Sequence, residues 1–249
     1  MGRLGERVAI VTGGAGGIGS AVARALAAEG ASVVIADVRD AEGTDLAADL
    51  GGLARFLHLD VTSEDDWQRA PADTERELGP VSVLTNIAGT IDWGLKEEQS
   101  PASFRRVVDV NLTGAWLGMR AVAPSLRRAG GGVVVNMSSL AGLTAYAGIG
   151  AYAASKWGLR GLTKAAALEL APDGVRVCSV HPGAIRTRMT AGFGDAYTAG
   201  QPIPRFGEPE EVARMVLFIV MDATFSTGSE FIVDGGILAG APAVLAPGG

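Results

Sequence analysis

Tyr152 and Lys156 stand four residues apart in a stretch, AYAASKWGLRGLTKAAALEL (151–170), whose composition favours a helix. An i,i+4 spacing places both side chains on one face of that helix, one turn apart. On a helix taken alone, such a pair is ordinarily part of a solvated surface. It becomes chemically useful if the cation stabilises a phenolate, because a tyrosine with an ordinary pKa of ~10 could then exchange a proton near neutral pH.

A second candidate site is the glycine cluster VTGGAGGIGS (11–20), which follows a β-branched stretch and precedes a helical one. Two registers of it match dinucleotide-binding patterns: Gly14, Gly16 and Gly19, or Gly13, Gly17 and Gly19. Glycines let the backbone approach a pyrophosphate, whose charge is favoured at a helix N-terminus. The loop therefore predicts a nucleotide cofactor.

Asp37 ends the next predicted strand, where a carboxylate can accept hydrogen bonds from an adenosine ribose. The same charge would repel the additional 2′-phosphate of NADP, so that NAD is favoured. Arg39 is a counter-signal, because it lies close enough in sequence to meet such a phosphate. The alternative for Asp37 is a carboxylate that only caps a turn.

Short β-branched runs alternate with helical patterns along the whole chain. Seven runs are predicted to be strands: RVAIVT (7–12), SVVIAD (32–37), ARFLHLDV (54–61), VSVLTNIAG (81–89), GGVVVNMSS (131–139), GVRVCSVHPG (174–183) and EFIVDGG (230–236). This pattern predicts an α/β fold of the Rossmann type, a doubly wound parallel sheet of about seven strands with helices on both faces. No linker divides the chain, so residues 1–249 are predicted to form a single domain. Ligands of such sheets bind at the carboxyl ends of the strands.

Local signals mark several helix ends. Thr62 or Ser63 can cap a helix with acidic residues in its first turn, and Pro209 suits the first position of another. Gly30 can end the helix after the glycine loop. Pro71 falls within a helical pattern, where we expect a kink or a restart.

Composition excludes several classes of function. A net charge of −6 without a basic cluster argues against nucleic-acid binding. One cysteine, Cys178, excludes an intrachain disulfide, and with only two histidines the chain has no zinc-ligand spacing, so that no metal is expected. No export leader and no membrane-spanning run is recognised, and a cytoplasmic location is predicted.

Eight short segments occur in an order that resembles the short-chain dehydrogenases/reductases. They are TGGAGGIG (12–19), HLDVT (58–62), NIAG (86–89), VNLTG (110–114), NMSS (136–139), YAASK (152–156), HPG (181–183) and VDGG (233–236). Each segment is weak evidence alone, but together they cover nearly the whole chain. Within the family, the chain is similar to the bacterial 3α,20β-hydroxysteroid dehydrogenases.

The resemblance implies a catalytic set of Asn111, Ser139, Tyr152 and Lys156. Tyr152 would be the general acid/base, with its pKa lowered by Lys156 and by an oxidised nicotinamide. Ser139 would hydrogen-bond the substrate oxygen, and Asn111 would hold a water that links Lys156 to solvent. From the residues alone, Ser139 could be a turn serine and Asn111 a surface residue of a helix.

The resemblance also implies a set of NAD contacts. These are Gly13, Gly17, Ile18, Gly19, Asp37, Asp60, Val61, Asn86, Ala88, Gly89, Tyr152, Lys156, Pro182, Gly183, Ile185 and Thr187. Asp60 could instead cap the next helix, and Val61 could belong to the core. The chain departs from the family where Ile87 replaces an asparagine and where Cys178 replaces another.

The substrate is predicted to be a small hydrophobic alcohol or ketone, and the resemblance implies a steroid-like shape. Besides Ser139 and Tyr152, the expected pocket walls are apolar or aromatic: Trp93, Leu143, Tyr146, Met189 and Phe193. Residues 190–207 are interpreted as a mobile lid, with a plain surface loop as the alternative. A 3-oxoacyl thioester or a small cyclic alcohol is the alternative substrate.

Family members assemble as tetramers, which implies a homotetramer here. The candidate contacts between subunits are Trp157, Leu162 and Ala166 on the predicted helix, and the uncharged tail at 237–249.

Other classes of function fit the sequence less well. A serine hydrolase is disfavoured because His181 has no evident serine partner, and a zinc alcohol dehydrogenase lacks ligands. A non-catalytic NAD(H)-binding sensor is the remaining alternative of a different class.

Overall fold

Seven β-branched, apolar segments build the centre of the molecule. In the computed structural model, which describes residues 2–240, they pair in parallel in one sheet of strand order β3-β2-β1-β4-β5-β6-β7. The strands are β1 (Val8–Thr12), β2 (Ser32–Asp37), β3 (Ala54–His58), β4 (Val83–Asn86), β5 (Gly132–Met137), β6 (Val175–Pro182) and β7 (Glu230–Val233). The predicted doubly wound parallel sheet is confirmed.

Helices cover both faces of the sheet, and this explains why its strands are apolar on both sides. The helices are α1 (Gly17–Ala28), α2 (Asp40–Leu50), α3 (Glu64–Leu78), α4 (Pro101–Val108), α5 (Gly114–Arg128), α6 (Gly150–Leu170) and α7 (Pro209–Met221). Val11 of β1 packs in the cluster with α1, α2 and α7, whereas its neighbour Ile10 packs in the cluster with α3, α5 and α6. Alternate side chains of a strand thus serve two cores.

The predicted helix ends agree with the structure in most places. Ser63 caps α3, because its hydroxyl accepts from the Asp66 backbone N–H at 3.1 Å, and Pro209 is the first residue of α7. Gly30 follows α1 with φ +89°, where glycine is favoured. The expected restart at Pro71 does not occur: α3 continues through this residue as one helix, with Pro71 buried against the core side. A proline removes only one backbone donor, and the packing of the helix compensates for it.

Most strands end earlier than predicted, at the edge where the site lies. Residues 59–61, 87–89 and 138–139 leave the sheet and turn across its carboxyl edge. Asn111 lies in a π-helical turn, Asp109–Thr113, which joins α4 to α5; the Gly114 N–H donates to the Asp109 carbonyl five residues earlier. Such turns are rare and occur often at functional sites.

Two parts of the chain bear on assembly. Ala166 is buried in the chain's own core and therefore is not available to a partner, which corrects that expectation; Leu162 packs against the same core, and Trp157 is exposed. Of the tail at 237–249, residues 241–249 lie outside the described part. Among the helices of residues 2–240, none combines the length and apolarity needed to cross a membrane.

Candidate active site

A cavity of about 620 Å³ opens at the carboxyl edge of the sheet, beside the point where the strand order reverses between β1 and β4. This is where ligands of doubly wound sheets bind. The predicted residues that line it are Gly13, Gly17, Ile18, Gly19, Asp37, Asp60, Val61, Ala88, Gly89, Ser139, Tyr152, Lys156, Pro182, Gly183, Ile185, Thr187 and Met189. Chain segments far apart in sequence thus meet in one cavity.

The glycine loop is shaped for close backbone contact. A Cβ on Gly19 would lie 2.0 Å from the Gly13 carbonyl oxygen, and one on Gly13 would lie 2.8 Å from the Ala88 Cα. Gly13 and Gly17 also have φ of 64° and 54°, in the left-handed region. At Gly13 and Gly19 no other residue type fits without a backbone shift, whereas a Cβ on Gly17 would meet only the Thr187 side chain, at 3.3 Å. The loop leads into the N-terminus of α1, so that the cradle fits the pyrophosphate of a dinucleotide.

Asp37 closes the adenosine side of the cavity. Its carboxylate is 7% exposed and accepts from the backbone N–H groups of Ala15 at 3.0 Å and Arg39 at 3.1 Å. The Arg39 side chain folds back onto the same carboxylate, at 3.4 Å, and also lies 3.7 Å from Glu42. Arg39, which in the sequence was a signal for NADP, is therefore a cation placed between the carboxylates of Asp37 and Glu42.

The loop after β4 is held by Thr12, a residue to which sequence reasoning assigned no role of its own. The Thr12 hydroxyl accepts from the N–H groups of Ile87 at 3.0 Å and Ala88 at 3.2 Å. Asn86, in contrast, does not line the cavity. Its amide donates to Asn136 Oδ1 at 2.8 Å inside the sheet, so its backbone neighbours and not its side chain face the ligand site.

Tyr152 and Lys156 lie on the cavity wall, one turn apart on α6. The Lys156 Nζ is 5.6 Å from the centroid of the Tyr152 ring and donates to the Met137 carbonyl at 2.8 Å. Lys156 is 3% exposed, and this desolvation lowers its pKa to about 8. Burial raises the pKa of Tyr152, while the hydrogen bond with Ser139 acts in the opposite direction. The protein environment on its own therefore favours the neutral phenol form of Tyr152.

Ser139 follows β5 and stands opposite Tyr152. Its hydroxyl oxygen accepts from the Ala141 N–H at 3.1 Å. Because that contact uses only a lone pair, the Ser139 O–H remains free to donate. A hydrogen bond donated to the Tyr152 phenolic oxygen stabilises the phenolate and so lowers the pKa of Tyr152.

Asn111 is buried behind the cavity and does not line it. Its Oδ1 accepts from the Thr90 N–H at 2.8 Å, and its Nδ2 donates to the Thr90 carbonyl at 2.9 Å and to Ser155 Oγ at 3.0 Å. Ser155 in turn donates to the Tyr152 carbonyl at 2.7 Å. The asparagine thus ties the loop after β4 to the helix that bears Tyr152.

Comparisons with known proteins agree with this geometry. A family model described as enoyl-(acyl carrier protein) reductase matches residues 13–238. A 3-alpha-(or 20-beta)-hydroxysteroid dehydrogenase of Mycobacterium tuberculosis is 44% identical over 96% of this chain and 92% of its own length. A trans-4-hydroxycyclohexanecarboxylate dehydrogenase of Sinomonas cyclohexanicum is 41% identical (96% and 95%), as is a cyclopentanol dehydrogenase of Comamonas testosteroni (96% and 100%).

The chain belongs to the short-chain dehydrogenase/reductase family. It is accordingly an oxidoreductase that acts on CH–OH groups with a nicotinamide cofactor. In this dehydrogenase the glycine cradle, Asp37 and the lysine beside the cavity fit such a cofactor.

The alternative raised for Val61 is seen in the structure, whereas the one raised for Asp60 is not, because Ser63 and not Asp60 caps α3. Asp60 Oδ1 accepts from the Thr62 N–H at 2.9 Å and shapes the turn before α3, while Val61 is 8% exposed and packs in the core. Both residues nonetheless line the cavity of the dehydrogenase. Asp60 and Val61 thus stabilise the local structure and also line the cavity.

Four of the expected substrate contacts lie outside the cavity: Trp93, Leu143, Tyr146 and Phe193. Trp93 and Phe193 contact each other, with ring centroids 5.4 Å apart, and Phe193 is 4.7 Å from Tyr197. The loop after β4 is thereby joined to residues 190–207, which contain a short 3-10 helix, Asp195–Thr198. The aromatic side chains form a group beside the cavity and not its lining.

His181 corrects one statement made from the sequence, because it does have a serine partner. Its Nε2 lies 2.9 Å from Ser179 Oγ on the same strand. Both side chains are fully buried, so the pair has no access to a substrate and the dehydrogenase has no hydrolase site there.

Several lining residues of the dehydrogenase were missed by sequence reasoning. They are Val38, Leu59, Thr90, Val110, Met137, Ser138 and Arg188; Gly16 was named only in one register of the glycine pattern, Ile87 only as a departure from the family, Thr190 only as part of the lid and Arg39 only as a counter-signal. Most are adjacent in sequence to a predicted residue, so extending each predicted position by one or two residues in both directions would have found them.

The crowding at Gly19 generates a testable prediction. We expect Gly19→Ala to weaken NADH binding, because its Cβ meets backbone that cannot move aside, and overpacking costs about 1–3 kcal/mol, or roughly five- to a hundredfold in affinity. Gly161→Ala is the matched control, since Gly161 is an exposed helical glycine outside the cavity and its Cβ would meet nothing within 4 Å. NADH fluorescence titration measures both, and equal affinities of the two variants would contradict the role of this close approach.

Proposed function

We propose that the protein is an NAD-dependent oxidoreductase that interconverts a secondary alcohol and a ketone on a hydrophobic, steroid-like substrate, with Tyr152 as general acid/base. One observation carries the proposal: Tyr152, Lys156 and Ser139 converge on the cavity that also holds the glycine cradle. A proton donor and a dinucleotide site in one cavity are what hydride transfer to a carbonyl requires.

When bound, the nicotinamide supplies or accepts the hydride and, in its oxidised form, brings a positive charge. Tyr152 donates its proton to the substrate oxygen during ketone reduction and takes a proton during alcohol oxidation. Burial keeps the pKa of Tyr152 high, which suits the donor role. The Lys156 ammonium and the Ser139 hydroxyl favour the phenolate, which the oxidation direction needs.

A proton that leaves Tyr152 needs a route to solvent, and Gly89 provides space for one. A Cβ on Gly89 would lie 3.4 Å from Asn111 Oδ1 and 3.7 Å from Lys156 Nζ, so its absence leaves a gap between the two polar groups. Both amide hydrogens of Asn111 have protein acceptors. A water beside Gly89 would therefore donate to Asn111 Oδ1, which accepts one other hydrogen bond, from Thr90, and would accept from Lys156.

The preference for NAD rests on Asp37. Its buried carboxylate lies where a ribose would be recognised, and it also engages Arg39. With Glu42 on its other side, the Arg39 guanidinium is already balanced by carboxylates. A 2′-phosphate would have to displace these partners and lie near the Asp37 charge, which disfavours NADP.

The substrate class is supported by the relatives, which are dehydrogenases of a hydroxysteroid and of cyclic alcohols. Met189 of the cavity wall offers an apolar surface, and the aromatic group of Trp93, Phe193 and Tyr197 lies on the loops that follow β4 and Met189. A small cyclic alcohol or a 3-oxoacyl thioester is the second candidate. A cytoplasmic location, the absence of nucleic-acid binding and a single domain over 1–249 stay predictions.

A homotetramer is proposed from the exposed aromatic residues of neighbouring helices. Phe104 of α4, Trp116 of α5 and Trp157 of α6 are each close to half exposed, on helices that contact one another. Large apolar side chains on adjoining helices are typical of a subunit interface.

The direct test is a panel of hydroxysteroids, cyclic alcohols and 3-hydroxyacyl thioesters, each assayed with NAD and NADP by nicotinamide absorbance, together with an enoyl thioester assayed with NADH and NADPH. We expect the highest kcat/KM with a hydroxysteroid and NAD. Turnover confined to thioesters would overturn the substrate proposal, and the absence of turnover across the panel would favour the sensor.

For the active substrate we expect Tyr152→Phe to lower kcat by about 10²–10⁴, the scale of general acid/base catalysis. NADH affinity should stay nearly unchanged, because the ring remains in place. Tyr146→Phe is the matched control, since Tyr146 lies outside the cavity. Retained turnover in Tyr152→Phe would exclude the proposed mechanism.

Replacing Asp37 by alanine should reduce the preference for NAD over NADP. Loss of charged hydrogen bonds costs about 1.5–3 kcal/mol, so the NAD/NADP ratio of kcat/KM should fall by roughly tenfold or more, while Arg39 becomes available to a phosphate. Asp45→Ala, on the exposed side of α2, serves as the control. An unchanged ratio in Asp37→Ala would refute the charge argument.

The tetramer proposal is tested by light scattering at micromolar concentration. We expect a mass of four chains for the wild type and a shift toward smaller species for Trp116→Glu combined with Trp157→Glu, because burying two charges opposes association. A wild-type monomer would contradict the assembly.

A further inference from the structure

A buried histidine next to the catalytic serine is not used by the proposed mechanism. His181 lies on β6 and is fully buried, and its Nδ1 is 3.1 Å from the backbone carbonyl oxygen of Ser139. Ser179, two residues earlier on the same face of the strand, places its hydroxyl 2.9 Å from His181 Nε2. The three residues form a continuous chain of hydrogen bonds between β6 and the turn after β5.

The chemistry of the acceptor fixes every proton in this chain. A carbonyl oxygen can only accept, so His181 Nδ1 must carry the hydrogen. In a neutral imidazole the Nε2 is then an acceptor, and the Ser179 hydroxyl must donate to it. Burial lowers the pKa of His181, which favours the neutral ring. One tautomer and one direction of donation remain.

The Ser179–His181–Ser139 hydrogen bonds complete the set that holds Ser139 in place. The Ser139 carbonyl also accepts from the Gly142 N–H at 2.9 Å, so both of its lone pairs have donors, and the Ser139 hydroxyl accepts from the Ala141 N–H. Only the Ser139 O–H is left, and it faces the cavity beside Tyr152. A peptide unit held from two sides gives that O–H a defined direction.

We propose that His181, oriented by Ser179, is a positioning residue that sets the orientation of the Ser139 hydroxyl toward the substrate oxygen. The inference rests on the proposed function of Ser139 and adds a residue to it. His181 itself does not line the cavity, so it acts through Ser139 and contacts neither substrate nor cofactor.

Two variants of similar size separate positioning from packing. In asparagine, the amide nitrogen is three bonds from Cα, as Nδ1 is in histidine, so His181→Asn keeps a donor for the Ser139 carbonyl. His181→Leu places a methyl group there. We expect His181→Leu to lower kcat at least about tenfold, since small displacements of catalytic groups are costly, with NADH affinity within about twofold. His181→Asn should recover most of kcat.

A double-mutant cycle with Ser139→Ala shows through which residue His181 acts. In single-turnover hydride transfer at high enzyme concentration, His181→Leu should reduce the rate less than about twofold once Ser139 is alanine, because the group it orients is gone. Equal losses in both backgrounds, or equal losses for His181→Asn and His181→Leu, would overturn the proposal and leave a packing role.

A measurement independent of turnover tests the same chain. The imidazole ¹⁵N chemical shifts of His181 should show the Nδ1–H tautomer in the wild-type enzyme at neutral pH. An Nε2–H tautomer in the wild-type enzyme would refute the proposal. If the panel finds no substrate while the Nδ1–H tautomer is present, the proposed function fails and the hydrogen-bond chain stands.

Discussion

Parallel pairing is the constraint on which the rest of the structure depends. All seven strands run in one direction, so each ends at the same edge, and the order reverses where β1 meets β4. At this reversal the chain leaves neighbouring strands toward opposite faces of the sheet, and the crevice between them receives the ligand. The glycine loop, the turn after β5 and the end of β6 are brought together only in this way. Helices on both faces then make the sheet core apolar and leave the polar chemistry to its edge.

Around that edge, the site is built from backbones in direct contact. Gly13 meets the chain at Ala88, Gly19 meets Gly13, and a Cβ on Gly183 would lie 2.9 Å from the Cα of Asp234. Side chains with hydroxyl or amide groups then hold the loops, as Thr12 and Asn111 do. Because backbone is less able to shift than a side-chain tip, such a frame suits a reaction in which a proton and a hydride must be delivered within fractions of an ångström.

Sequence reasoning predicted the fold and most of the cavity lining because those signals are short in range: a glycine loop after a strand, an acid at the end of the next, and a tyrosine and lysine one turn apart. It missed features that depend on neighbouring strands. Thr12 reaches residues 87–88 across the sheet, and His181 reaches Ser139 across β5 and β6. The walls expected at Trp93 and Phe193 depend on loop conformation, which no periodicity encodes. The continuity of α3 through Pro71 depends on packing that local rules do not contain.

The π-helical turn at Asp109–Thr113 has a consequence for how this region can change in length. It accommodates one residue more than a regular helix would, and each residue of a helix turns the chain by about 100°. Deleting one residue here would regularise the helix. The same deletion would rotate Asn111 away from Thr90 or turn the apolar stripe of α5 away from the core, but the chain could not keep both alignments. Insertions and deletions are thus far less tolerable in this turn than in the exposed connection from α2 to β3 at 51–53, where a Cβ added to Gly51 or Gly52 would meet nothing within 4 Å.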